Sequence, residues 1–64
     1  MIPRWTTING KNIDANRVMY VRQWHEITTE IDYVVVGLDD NSELVFPESE
    51  LSYRETCNLI NSAS

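Results

Sequence analysis

Arg17-Val18-Met19-Tyr20-Val21-Arg22-Gln23-Trp24 and Ile31-Asp32-Tyr33-Val34-Val35-Val36-Gly37-Leu38 are the two stretches that decide the fold. Side chains alternate between the two faces of a strand. Strict alternation therefore puts Met19 and Val21 on one face of the first stretch and Val18, Tyr20 and Trp24 on the other. In the second stretch Val34, Val36 and Leu38 oppose Ile31, Tyr33 and Val35. Each strand is apolar on both sides, so the sheet they form needs two covers. The rest of a 64-residue chain supplies one.

Outward from these strands the punctuation is clear. Arg4-Trp5-Thr6-Thr7-Ile8 favours extended structure and runs into Asn9-Gly10, whose tolerance of positive φ predicts a type I′ hairpin turn. Lys11-Asn12-Ile13-Asp14 is the return strand, and Ala15-Asn16 turns the chain into the first long strand. His25 to Glu30 reads as a loop or as an extension of the two long strands. Asp39-Asp40-Asn41-Ser42 is a turn before Glu43-Leu44-Val45-Phe46, and Pro47, which cannot donate to a ladder, ends the sheet.

The period then changes. Tyr53, Cys57 and Ile60, with Thr56 and Leu59 beside them, form one helical stripe. Ser52 with Glu55 matches a capping box, Ser49 competes as N-cap, and Glu48 and Glu50 suit the positive end of the helix dipole. The expected architecture is α+β: one domain over 1–64, an antiparallel sheet of four to five strands spanning about 4–46, and a C-terminal helix over about 50–61 on one sheet face. The helical stripe suits the aliphatic face of Met19, Val21, Val34, Val36 and Leu38. The face with Tyr20, Trp24 and Tyr33 is left for a partner, unless Trp5 and the loop after Trp24 fold over it.

Size points the same way. A chain this short buries only roughly 60% of its unfolded surface and usually needs a disulfide, a metal or a second subunit. Cys57 is the single cysteine and His25 the single histidine, so oligomerisation is the expected staple. The free thiol, with no leader segment visible at Met1-Ile2-Pro3-Arg4-Trp5 and no apolar run long enough for a bilayer, suggests a cytoplasmic setting and no membrane partner.

The net charge of −5 is unevenly spread. Met1–Arg22 has four basic side chains and one acidic, whereas Gln23–Ser64 has one basic, Arg54, against nine acidic. The split suits pairing between copies or an acidic face offered to a basic partner, and speaks against duplex nucleic acid.

Candidate chemistry is sparse. His25 lies next to Glu26, yet no motif places a nucleophile beside it. Cys57 falls on the apolar helical stripe, where a small buried hydrophobe is the expectation. Asp39, Asn41, Glu43 and Glu50 hold calcium-loop spacing, but Leu44 stands where glycine is needed and Pro47 interrupts the loop. A polar turn is the better reading. Arg4, Arg17 and Arg22 with Trp5, Tyr20 and Trp24 are the most suggestive set, since guanidinium and aromatic groups make both anion pockets and protein hot spots. Arg22 shares a face with Tyr20 and Trp24; Arg17 does not.

The expected contact residues are thus Tyr20, Arg22, Trp24, Tyr33 and Val35. Glu43, Glu48, Glu50 and Glu55 form the expected acidic face, which would imitate a phosphate backbone before a basic groove.

Ile8-Asn9-Gly10-Lys11, then Asn16, a valine-rich strand, and Val45-Phe46-Pro47-Glu48-Ser49 before a helix resemble the small flagellar protein family FlbD (SwrD). The likeness spans Ile8 to Ile60, with a longer loop at His25–Glu30 and Asp39-Asp40-Asn41-Ser42 in place of a glycine-containing turn. It implies a non-enzymatic accessory role in motility and transfers no catalytic residue.

The expected function is therefore stoichiometric binding by an oligomer, without cofactor, metal or turnover. Short acidic proteins of this kind suit phages and mobile elements that inhibit a host protein. A second reading is an oligomeric sponge holding a small anionic, nucleotide-like signal between subunits. A flagellar-type accessory is the third.

Overall fold

The computed structural model describes residues 2–64. Strands β1 (Trp5–Ile8), β2 (Lys11–Asp14), β3 (Val18–Glu26), β4 (Ile31–Leu38) and β5 (Glu43–Pro47) precede helix α1 (Tyr53–Ser62). All strand pairs are antiparallel, and the fold is α+β. Asn9 and Gly10 have φ of 49° and 82°, as a type I′ turn requires, and close β1 on β2 with Ile8 opposite Lys11.

The five strands form two sheets, where a single sheet was the expectation. β1 and β2 stand apart from the meander β3-β4-β5. The break is a single 3-10 turn over Ala15–Arg17. Asp14 caps it: one carboxylate oxygen accepts from the backbone N–H groups of Asn16 at 2.9 Å and Arg4 at 3.0 Å. The Ala15 N–H donates to the Arg4 carbonyl at 2.8 Å. This turn lays the hairpin over the meander, and Ile8 becomes fully buried in a cluster with Val34, Val36 and Phe46. Side chains of this kind stabilise by roughly 1.5–3 kcal/mol each when fully buried.

A second departure lies at the start of β3. Its register against β4 is regular from Tyr20↔Gly37 to Glu26↔Ile31, but shifts between Val18 and Tyr20. One extra residue in a bulge reverses the alternation beyond it. Val18 therefore packs on the core side with Val21 and Leu38, while Met19 is 68% exposed. Strict alternation assigns both residues to the wrong faces.

α1 covers the aliphatic face. Ser52 caps it, its hydroxyl accepting from the Glu55 N–H at 3.1 Å. The stripe is centred on Thr56, which is fully buried and donates its hydroxyl to the Ser52 carbonyl at 2.8 Å. Tyr53, Leu59 and Ile60 pack against the core, whereas Cys57 is only half-buried at its margin. The far end of α1 is held by Arg4, whose guanidinium donates to the carbonyls of Ile60 at 2.9 Å and Ala63 at 3.2 Å. One side of the meander thus carries both α1 and the β1–β2 hairpin.

Candidate functional site: the open face of the meander

The uncovered side of the meander is built from three rungs that each cross β3, β4 and β5. They are Tyr20–Gly37–Glu43, Arg22–Val35–Val45 and Trp24–Tyr33–Pro47. The antiparallel register brings residues more than twenty positions apart in sequence into one row.

In the first rung Gly37 contributes no side chain, and the Tyr20 ring lies across it. A Cβ placed on Gly37 would fall 2.1 Å from Tyr20 Cζ. The phenol reaches β5 and donates to Glu43 Oε2 at 2.5 Å. That bond, followed by burial and the Glu43 charge, holds the Tyr20 hydroxyl above its ordinary pKa, because a phenolate there would face a carboxylate.

In the second rung Arg22 extends past Val35, and its Nη2 lies 3.5 Å from the same Glu43 oxygen. Val35 is only 2% exposed. It belongs to the open face but is roofed by side chains flanking it, so it is not the contact residue the sequence suggests. In the third rung Trp24 stacks on Tyr33 with ring centroids 5.3 Å apart and planes 30° from parallel.

Around Val35 the apolar groups remain accessible. Tyr20 is 44%, Trp24 46% and Val45 52% exposed, and Tyr33 is half-buried beneath Trp24. Trp5 does not cover them: it stands in the hairpin on the other side of the meander and is itself exposed. Ile27, also exposed, sits at the tip of the β3–β4 hairpin.

The other residues of the suggestive set are employed elsewhere. Arg4 caps α1, and Arg17 pairs with Asp39 at 3.0 Å and Asp40 at 2.9 Å. Asp40 also accepts from the Ser42 N–H at 3.0 Å and its hydroxyl at 2.5 Å, which draws its carboxyl below the usual range. The acidic 39–42 stretch is therefore an ion-paired turn, with Asn41 at φ 69°.

The four glutamates do not form one face. Glu43 lies among the rungs, Glu48 faces Gln23 Nε2 at 3.3 Å, Glu50 accepts from Asn9 Nδ2 at 3.2 Å, and Glu55 stands in the first turn of α1.

A shallow groove of about 770 Å³ borders the far end of β3 and β4, lined by residues including His25, Asp32 and Ser49. His25 Nδ1 lies 2.7 Å from Asp32 Oδ1, so Asp32, not Glu26, orients the ring. Both side chains are more than half exposed. Among the described residues no group of three or more His, Cys, Asp or Glu side chains is arranged to hold a metal, and no helix is long and apolar enough to cross a membrane.

Gly37 and Glu43 are the parts of this face that sequence reading does not assign together. A glycine inside a valine-rich strand is the available signal, since such a glycine often marks close approach by another group. No protein-family model matches the chain, nor does any curated protein or solved structure.

Proposed function

We propose that the protein is a stoichiometric binder that docks another protein through the open face of the meander. The observation carrying this reading is the patch itself. Tyr20, Trp24 and Val45 remain accessible around buried Val35, on the one side that neither α1 nor the hairpin covers. Partly desolvated aromatics beside an arginine are the usual composition of a protein hot spot. The net charge of −5 favours a partner whose surface is basic around an apolar centre.

The nucleotide-sponge reading receives less support from the same geometry. Among the described residues Arg22 is the one arginine on this face, and Glu43 shares its charge. Arg4 and Arg17 are occupied by a helix end and by two aspartates.

The test compares capture from extracts of the source cell by the native protein and by two tryptophan variants. One protein should co-purify in a fixed ratio, weaken with salt, disappear with Trp24→Ala and persist with Trp5→Ala. Capture that ignores Trp24→Ala, or is lost equally with Trp5→Ala, overturns the reading. Thermal stabilisation by nucleotides that vanishes with Arg22→Ala would establish the sponge instead.

A further inference from the structure

The two borders of the meander differ. β5 is five residues long and ends in Pro47, both common ways of blunting an edge. β3 is nine residues long, contains neither proline nor lysine, and lies at the opposite border. Among the described residues the side of β3 away from β4 receives no backbone partner. Arg22, Gln23, Trp24 and His25 are consecutively exposed. The bulge near Met19 ends regular geometry at one end and the hairpin tip ends it at the other, so the usable edge runs from Tyr20 to Glu26.

We propose that a second copy of this chain pairs antiparallel along that edge, joining two meanders into one six-stranded sheet. A two-fold axis normal to the sheet keeps open face beside open face, so residues of the same face must oppose one another. An axis through Arg22 would set two guanidiniums opposite each other, which is unfavourable. An axis through Gln23 leaves Glu26 opposite Tyr20, without a cationic partner. An axis through Trp24 sets Arg22 against the partner's Glu26 on both sides of the seam. It also places Trp24 beside the partner's Trp24, so the Trp24–Tyr33 stack of each copy extends into a row of four aromatic rings.

Of these three registers, the last is the one that sets opposite charges and aromatic rings against one another together. The pairing stands independently of partner docking: a monomer would leave the docking face intact, and a dimer that captures nothing would leave the seam intact.

The experiment is a charge exchange followed by sedimentation equilibrium up to the high micromolar range, with circular dichroism to verify folding. The native chain should sediment at twice its 7.4 kDa mass. Arg22→Glu alone and Glu26→Arg alone each place two like-charged pairs across the seam and should weaken association roughly 30-fold or more. Mixed in equal amounts, the two variants present opposite charges at every such pair, and a heterodimer should form. A native monomer throughout the range overturns the proposal. So does a dimer that both variants preserve, which would assign association to another surface. If Arg22→Glu does not fold, Glu26→Arg and the Arg22→Glu/Glu26→Arg double variant decide: the single should be monomeric and the double dimeric, and any other pairing of results refutes the seam.

Discussion

Tyr20 lies across Gly37, the position opposite it on β4, and uses the space of the missing side chain to reach Glu43 on β5. Three strands are thereby bridged by one ring. Gly37 has no unusual φ, so the glycine serves space here and not backbone freedom. Gly37→Ala should lift the ring and break the bond to Glu43. The net loss of stability should stay within about 1 kcal/mol, because removing a strand glycine offsets part of one lost hydrogen bond. The sharper readout is the Tyr20 hydroxyl, whose raised pKa should fall back toward its ordinary value of 10.0. A carbon NMR titration of the ring measures it.

Arg4 should matter more than its place near one end of the chain suggests. Its guanidinium satisfies the last carbonyls of α1 and ties that helix to β1. Arg4→Ala should cost about 1–2 kcal/mol in denaturant melts, as expected for charge-assisted bonds at a helix C-terminus. Arg4→Lys should recover part of it only, since the two carbonyls are reached from two separate nitrogens of one planar group, Nε and Nη2, whereas an ammonium offers a single nitrogen.

Stability should fall at both extremes of pH. Asp14 and Asp40 have carboxyls held below the ordinary 3.8, the first by the backbone N–H groups of Arg4 and Asn16, the second by Ser42. A depressed folded-state pKa contributes stability above the unfolded value that is lost as pH falls through the folded one. The acid limb should thus begin near pH 4 and continue below it. Tyr20 has the opposite sign: its raised pKa contributes below pH 10.0 and is lost as pH rises beyond it. Urea melts across pH should show a plateau between these limbs. Asp14→Asn should flatten the acid limb and Tyr20→Phe the alkaline one.

Glu30, at the end of the β3–β4 hairpin loop, has φ of 58° and donates its N–H to the Glu26 carbonyl at 2.8 Å. A left-handed conformation is costly for a residue with a Cβ. Glu30→Gly should raise stability by about 0.5–1 kcal/mol, the strain relieved being larger than the entropy glycine adds to the unfolded chain. A lower denaturation midpoint in this variant would contradict the loop geometry.

Local signals carried most of the architecture. Asn9-Gly10, the paired apolar strands, Pro47 and the Ser52–Glu55 cap are each decided by a few neighbouring residues, and each appears where the sequence predicts it. The departures arise where distant groups decide. Period-2 counting cannot anticipate a bulge, so Val18 and Met19 exchange faces. The Asp14 cap that divides the sheet depends on a bond from Arg4, ten residues earlier. The candidate face was legible as a set of side chains, Tyr20, Arg22, Trp24 and Tyr33, because alternation places them together. Its interior was not. Burial of Val35 depends on which neighbours lean over it, and the role of Glu43 depends on the register of a third strand.

The molecule measures 42 × 22 × 16 Å, and its long hairpin outreaches the layer beneath it. β5 pairs with β4 from Tyr33 to Gly37, and the Glu48 N–H reaches the Asp32 carbonyl at 2.9 Å, leaving Glu26 to Ile31 as a two-stranded arm ahead of the valine core. Amide hydrogens there should exchange with solvent deuterium while those of Val34 and Val36 stay protected. With Trp5 replaced by phenylalanine, fluorescence from Trp24, at the root of that arm, would then report a softer region than circular dichroism of α1, and thermal midpoints from the two signals would differ within one folded chain.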